Sequence, residues 1–198
     1  DLDFTAHSNV AGGKLDAKLH NDDFHAELNS LQTLDIFDML IYPKIFKSKI
    51  DAKVDYNLAQ AKGVLKGTLS DGTFMSNEVL DLAKKYAHTD LYKQQFKGDV
   101  NANINKENIL AGLDLQSNTS SIKTKNTKLN TKTKQIDSKI DINANGNPLS
   151  VTLKGAVDSP RVGVDASKII QKEATKAVTK ELKKHLGDDI NKLFKGLF

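Results

Sequence analysis

Apolar and polar residues alternate with a period of two along most of this chain, the period of strands with one dry and one wet face. Leu2-Phe4-Ala6 opens the pattern. Leu15-Ala17-Leu19 and Phe24-Ala26-Leu28 continue it, joined by the turn-forming Asn21-Asp22-Asp23. The cleanest run is Ile50-Ala52-Val54-Tyr56-Leu58, whose other face reads Asp51-Lys53-Asp55-Asn57. Gly63-Leu65-Gly67-Leu69 follows, and Ser70-Asp71-Gly72 reads as the turn that ends it. Phe96-Gly98-Val100-Ala102-Ile104 and Ile109-Ala111-Leu113-Leu115 form a hairpin across Lys106-Glu107-Asn108. Ile136, Ile140, Ile142 and Ala144 make the next strand, and Asn145-Gly146 is a two-residue hairpin turn. Leu149-Val151-Leu153-Gly155-Val157 returns, and Val162-Val164-Ala166 adds a short strand after Ser159-Pro160. Residues 117–134 are rich in Asn, Thr, Lys and Ser, with Ile122 and Leu129 their apolar members. A disordered loop is one reading. The β-forming threonines, alternating with lysine at Lys123-Thr124-Lys125, favour two narrow strands.

Two stretches break the period. Residues 33–46 place Ile36, Phe37, Leu40 and Ile41 on one helical face, with Pro43 set to shorten or bend the helix. Residues 76–87 carry Val79, Leu80, Leu82, Ala83 and Tyr86 at helical spacing, and Ser76 or Asn77 can cap them. Each short helix could cover one end of a sheet. From 167 the spacing becomes helical again: Ile170, Ala174, Ala177, Val178, Leu182 and Leu186 share one side. Gly187 breaks this run, and Ile190, Leu193, Phe194 and Leu197 follow. The expected architecture is mainly β (α+β). A large curved antiparallel sheet spans 1–166, with two short inserted helices, and a basic amphipathic helix spans 167–198.

Charge sharpens that division. Residues 167–198 hold eight lysines against Glu173, Glu181, Asp188 and Asp189, a surplus equal to the whole chain's net charge of +4. The body before them is therefore near neutral. Hydrophobic residues make up 38% of the chain, which suits a thin sheet with one wet face better than a doubly covered one. The absence of cysteine excludes disulfides, zinc–thiolate sites and thiol catalysis. Asp1 at the start suggests a fragment or processed chain, and any membrane anchor is expected upstream of it.

The oily faces of these strands define a candidate site. Leu15, Leu19, Phe24, Leu28, Ile50, Val54, Tyr56, Leu65, Val100, Ile104, Leu113, Ile140, Val151 and Leu153 either fill an ordinary closed core or line an open trough. Acyl chains would gain about 0.8 kcal/mol per buried methylene in such a trough, with no specific polar contact. The terminal helix offers Lys172, Lys176, Lys180, Lys183 and Lys184 beside Leu193, Phe194, Leu197 and Phe198. That pattern suits an anionic membrane surface, a partner helix, or docking on the sheet itself. Catalytic patterns are lacking: no nucleophile elbow, no phosphate-binding glycine loop and no H-x-x-x-H pair. His20 and His25 lie across a turn beside Asp22 and Asp23, whose turn chemistry suffices to explain them. No cofactor is expected. Nucleic acid is not an expected partner either, because the lysine-rich stretches carry no interleaved stacking aromatics before Phe194.

From Val79 onward, the order of elements resembles the C-terminal region of AsmA-like proteins of Gram-negative envelopes, including the TamB type. The carriers are the short helix ending near Tyr86, the segment Tyr92-Lys93-Gln94-Gln95-Phe96-Lys97-Gly98, and the alternating strands after it. The clearest piece runs Leu149-Ser150-Val151-Thr152-Leu153-Lys154-Gly155-Ala156-Val157-Asp158-Ser159-Pro160-Arg161-Val162, and a Lys-rich helix ending Leu193-Phe194-Lys195-Gly196-Leu197-Phe198 closes the likeness. The resemblance implies a taco- or groove-like sheet in the periplasm, in a parent protein anchored in the inner membrane. It implies phospholipid transport between membranes or support of outer-membrane homeostasis. The partners implied are phospholipid or another acyl lipid, the membrane surface and an envelope protein.

Overall fold

The computed structural model describes residues 2–165 and 167–186, with side chains through residue 180. Eleven antiparallel strands form one sheet in strict sequence order: β1 (Asp3–Val10), β2 (Gly13–His20), β3 (Asp23–Gln32), β4 (Phe46–Asn57), β5 (Lys62–Phe74), β6 (Phe96–Asn105), β7 (Asn108–Gln116), β8 (Ser120–Asn130), β9 (Gln135–Ala144), β10 (Asn147–Ala156) and β11 (Arg161–Asp165). The first and last strands do not pair with each other, so the sheet is open and curved rather than a barrel.

Tight turns make the meander possible. At Asn145-Gly146 both residues have positive φ, 51° and 80°, the geometry of a hairpin turn that follows strand twist. Ala11-Gly12 does the same between β1 and β2, with φ of 48° and 70°.

Two expectations need correcting. Ser70-Asp71-Gly72 does not end β5. The strand runs through it as a bulge, with Asp71 at φ 53° and the register to β6 shifting between Leu69 and Gly72. The bulge absorbs the turn-like residues and lets one long strand bend. Residues 117–134 supply one strand, β8, followed by a turn, rather than two strands. Its irregular register, between Thr124 and Lys128 against β9, accommodates the polar middle without a break.

Helix α1 (Thr33–Leu40) fills the β3–β4 connection, and α2 (Glu78–Ala87) with a 3₁₀ turn (Leu91–Lys93) fills that between β5 and β6. Asn77 caps α2, its side-chain oxygen accepting from the Leu80 N–H at 3.0 Å. Tyr92 clamps the helix start: its hydroxyl lies 2.8 Å from the Asn77 carbonyl and 2.8 Å from an Asp81 carboxylate oxygen. α1 has no side-chain cap, but Thr33 Oγ1 donates to the Phe46 carbonyl at 2.7 Å and accepts from the Ser48 N–H at 2.9 Å. α1 stops at Leu40, short of Pro43, and only Ile36 and Phe37 pack on the core. Leu40 and Ile41 do not join that face: both are exposed, and Ile41 sits outside the helix in left-handed backbone at φ 57°. That conformation costs a non-glycine residue about 1–2 kcal/mol.

Strand direction places both helical insertions at one end of the sheet. Helix α3 (Ser167–Leu186) leaves β11 at that same end. α2 emerges from β5 yet packs against β9, β10 and β11, so the sheet curls around it. The core forms there, from Leu80, Ala83, Ala87 and Leu91 of the helical insertion and Phe96, Leu115, Ile122, Ile142 and Val151 of the strands. Phe46, Phe74 and Phe96, at the helix-bearing ends of β4, β5 and β6, pack in series, the first pair tilted and the second edge-to-face, with ring centres 4.6 and 5.3 Å apart. Gly98 is required where it stands, since a Cβ there would run into the Asp114 backbone carbonyl of β7.

Candidate functional site: an apolar sheet face closed at one end

Cross-strand register places the fourteen predicted trough residues on a single face. Leu15 opposes Leu28, Leu19 opposes Phe24, and Phe24 opposes Tyr56. Val54 opposes Leu65, Val100 opposes Leu113, and Ile140 opposes Val151. Ile50 lies between Leu31 and Leu69, Ile104 opposes Ile109, and Leu153 follows Val151 two residues on. A period of two leaves no other choice: with one register fixed, every second side chain falls on the same side.

Burial along that face is graded. Ile50 and Val151 are buried in the core beneath the helices. Leu28, Leu65, Val100, Leu113, Ile140 and Leu153 are half-buried and pack against it. Leu15, Leu19, Phe24, Val54, Tyr56 and Ile104 are half-buried and lie outside the core cluster. The closed-core reading thus holds at the helical end. Toward the hairpins at the other end, the apolar side chains are half-buried and lie outside the core cluster. Phe4 on the edge strand is 59% exposed and continues the surface outward.

The plug that closes the helical end was not singled out by sequence reasoning. Leu91, Phe46, Phe74 and Phe96 carry it. The available signal was position, because each phenylalanine is the first or last residue of a strand beside a helical insertion.

The opposite face is charged and paired. Lys53 contacts Glu27 at 2.9 Å, which raises the lysine's pKa, first through the hydrogen bond and then through the carboxylate's charge. Lys123 meets Asp114 at 2.8 Å. His20 and His25 do not converge on a shared site. His20 Nδ1 lies 2.6 Å from Asp3, His25 pairs with Asp55, and His7 pairs with Asp16. Among the described residues no group of three His, Cys, Asp or Glu side chains is placed to hold a metal. A depression of about 800 Å³ lies over β3 to β6. Its lining is mainly of polar-face residues such as Glu27, Asp51, Lys53, Lys66 and Asn101, so it is not the expected trough.

α3 docks differently from expectation. Ile169, not the stripe beginning at Ile170, is buried against the sheet. Lys172 Nζ reaches the Asn147 side chain and the Gly146 carbonyl at 3.3 and 3.4 Å. Asp165 braces the joint by accepting from the Ser167 N–H at 3.0 Å, and its bonds from Ser167 hold the carboxyl below the usual carboxylate range. Beyond this first turn the helix leaves the sheet. Ile170 is 60% and Val178 58% exposed, and Ala174, Ala177, Lys172, Lys176 and Lys180 are exposed as well. The side chains of Leu182, Lys183, Lys184 and Leu186 lie outside the described residues, as do Ala166, Gly187, Ile190, Leu193, Phe194, Leu197 and Phe198. No described helix is long and apolar enough to cross a membrane.

Comparison with protein-family models, with curated proteins and with solved structures finds no match to this chain.

Proposed function

We propose that this chain is a non-enzymatic module of a bacterial envelope protein. It takes acyl chains on its apolar sheet face and contributes to phospholipid movement between the inner and outer membranes. The observation that carries this reading is the gradient of cover along one face. Core packing fills the helical end, while Leu19, Phe24, Val54, Tyr56 and Ile104 remain half-covered at the other. Such a surface suits hydrocarbon, because dispersion and water release reward contact without demanding polar partners. The resemblance of residues 79–198 to the AsmA-like family supports the periplasmic setting and the inner-membrane anchor of the parent protein. The exposed Lys176 and Lys180 and the exposed Ile170, Ala174, Ala177 and Val178 of α3 support attachment to an anionic surface.

Native mass spectrometry of the protein purified from bacteria tests this reading. Copurified phospholipid is expected, and Val54→Asp or Ile104→Asp should lower its amount while leaving the fold intact, since neither residue belongs to the core. Folded variants that retain full lipid would remove the trough from the account.

A second reading is a scaffold for outer-membrane protein assembly, and one feature favours it. β1 presents an eight-residue edge paired on one side alone, and such edges accept a further strand from a partner. Lipid-free protein with a captured β-barrel client would favour that role.

A further inference from the structure

Lysines gather at the hairpin end of the sheet's middle strands. Lys106 lies in the β6–β7 turn, Lys132 and Lys134 in the β8–β9 turn, and Lys62 and Lys128 on the strands beside them. All are exposed, and among the described residues none of them pairs with a carboxylate. The acidic residues of this stretch are Glu107 and Asp137, the latter 3.9 Å from Lys154. The turns to either side differ: Asp22 and Asp23 make the β2–β3 turn acidic, and Asp158 balances Arg161 at the β10–β11 turn. Backbone hydrogen bonds hold the basic turns side by side. The Lys106 N–H donates to the Ala61 carbonyl at 2.6 Å, and the Thr131 N–H to the Glu107 carbonyl at 2.8 Å. Turns two strands apart lie about 10 Å from each other, a gap that two lysine side chains span to reach one anion.

Directly inside these turns, the last rung of the apolar face runs Ile104, Ile109, Leu129, Ile136, each opposite the next. All four are half-buried and lie outside the core cluster. Gly155, opposite Ile136, continues the rung without a side chain, and a Cβ there would meet nothing within 4 Å among the described residues beyond its chain neighbours. The other end of the same strands is filled by Phe96, Leu115, Ile122 and Ile142. From Ile136 to Ile142 the strand rises about 20 Å, and the acyl chains of one bilayer leaflet span about 15 Å.

We propose that the lipid taken by this face is an anionic glycerophospholipid of the phosphatidylglycerol class. Its acyl chains run toward the packed helical end, and its headgroup sits among Lys106, Lys132 and Lys134. The inference rests on the acyl-binding reading of the face and adds to it a headgroup and a direction. Direction follows from the cost of burial: a phosphate at the packed end would lose its water among apolar side chains, whereas at the turns it meets ammonium groups in solvent. Charge then sets the headgroup. Phosphatidylethanolamine brings its own ammonium, which the lysines repel. Phosphatidylglycerol brings none, and Lys62 and Lys128 add to the positive field that attracts it.

Lipid extracted from the protein purified from bacteria tests this, with its ratio of phosphatidylglycerol to phosphatidylethanolamine set against that of membranes from the same cells. The protein-bound ratio should be higher by about fivefold or more. A triple variant in the turns, Lys106→Glu with Lys132→Glu and Lys134→Glu, should return the ratio to that of the membranes while keeping the parent's circular dichroism and some bound lipid. A control with the same change in charge at the helical end, Lys47→Glu with Lys85→Glu and Lys97→Glu, should keep the enrichment. Bound lipid at the membranes' own ratio in the parent would overturn the proposal and leave the acyl-binding reading standing. Equal loss of enrichment in both triple variants would also overturn it, since net charge and not position would then be responsible. Parent protein free of lipid would remove the acyl-binding reading and this inference together.

Discussion

Histidine faces aspartate across the outer strands three times: His7 with Asp16, His20 with Asp3, and His25 with Asp55, each pair directly opposed in register. Such pairs are the sheet's equivalent of helix side-chain pairs. The Asp3 hydrogen bond, then its charge, holds His20 above its ordinary value of 6.5. Folding therefore favours the protonated ring. That contribution is fully present below 6.5 and fades as pH rises through the higher folded value. Both side chains are well exposed, so the effect is small and screened by salt. In urea unfolding, His20→Gln should be less stable than the parent near pH 6 and indistinguishable from it at about pH 9. A deficit that grows with pH would contradict the pairing. These pairs were hard to foresee because sequence distance alone does not show which aspartate faces each histidine. Register instead sends each to a different neighbour.

Helical elements were legible as elements, but not in what they touch. Asn77 announced α2, and Pro43 announced the shortness of α1. The face of α1 was misread because the helix ends at Leu40, which is exposed, and Ile41 falls where the chain has already left it. In α3 docking uses Ile169, and Ile170, Ala174, Ala177 and Val178 of the expected stripe are exposed. Period shows which residues share a face and cannot show whether the body of the protein or something else covers it. Replacing Lys172, Lys176 and Lys180 by Glu should weaken liposome cosedimentation, more at low than at high salt. Equal binding at both salt concentrations would exclude an electrostatic role for this helix.

For the whole molecule, the curved antiparallel sheet was readable because most strands alternate cleanly, and the structure adds that each strand pairs with the next. Alternation then fixed which residues share a face, and the fourteen trough residues fall together for that reason. The sequence did not reveal where the face is closed. That depends on α2 reaching across to β9–β11, a contact between segments far apart in the chain. Turn-like residues within β5 and the polar run of β8 misled for a related reason: a bulge can carry such residues without ending a strand. The resulting molecule is an open, curled sheet with a packed core at its helical end and, among the described residues, half-buried apolar side chains toward the other.

That asymmetry is most directly tested by photocrosslinking in bacteria, with a benzophenone amino acid placed at Phe24, at Tyr56 or, as a control on the charged face, at Thr68. Phospholipid adducts identified by mass spectrometry should form from positions 24 and 56 and not from 68. Adducts absent from positions 24 and 56, or equally abundant from 68, would contradict an apolar face that receives lipid.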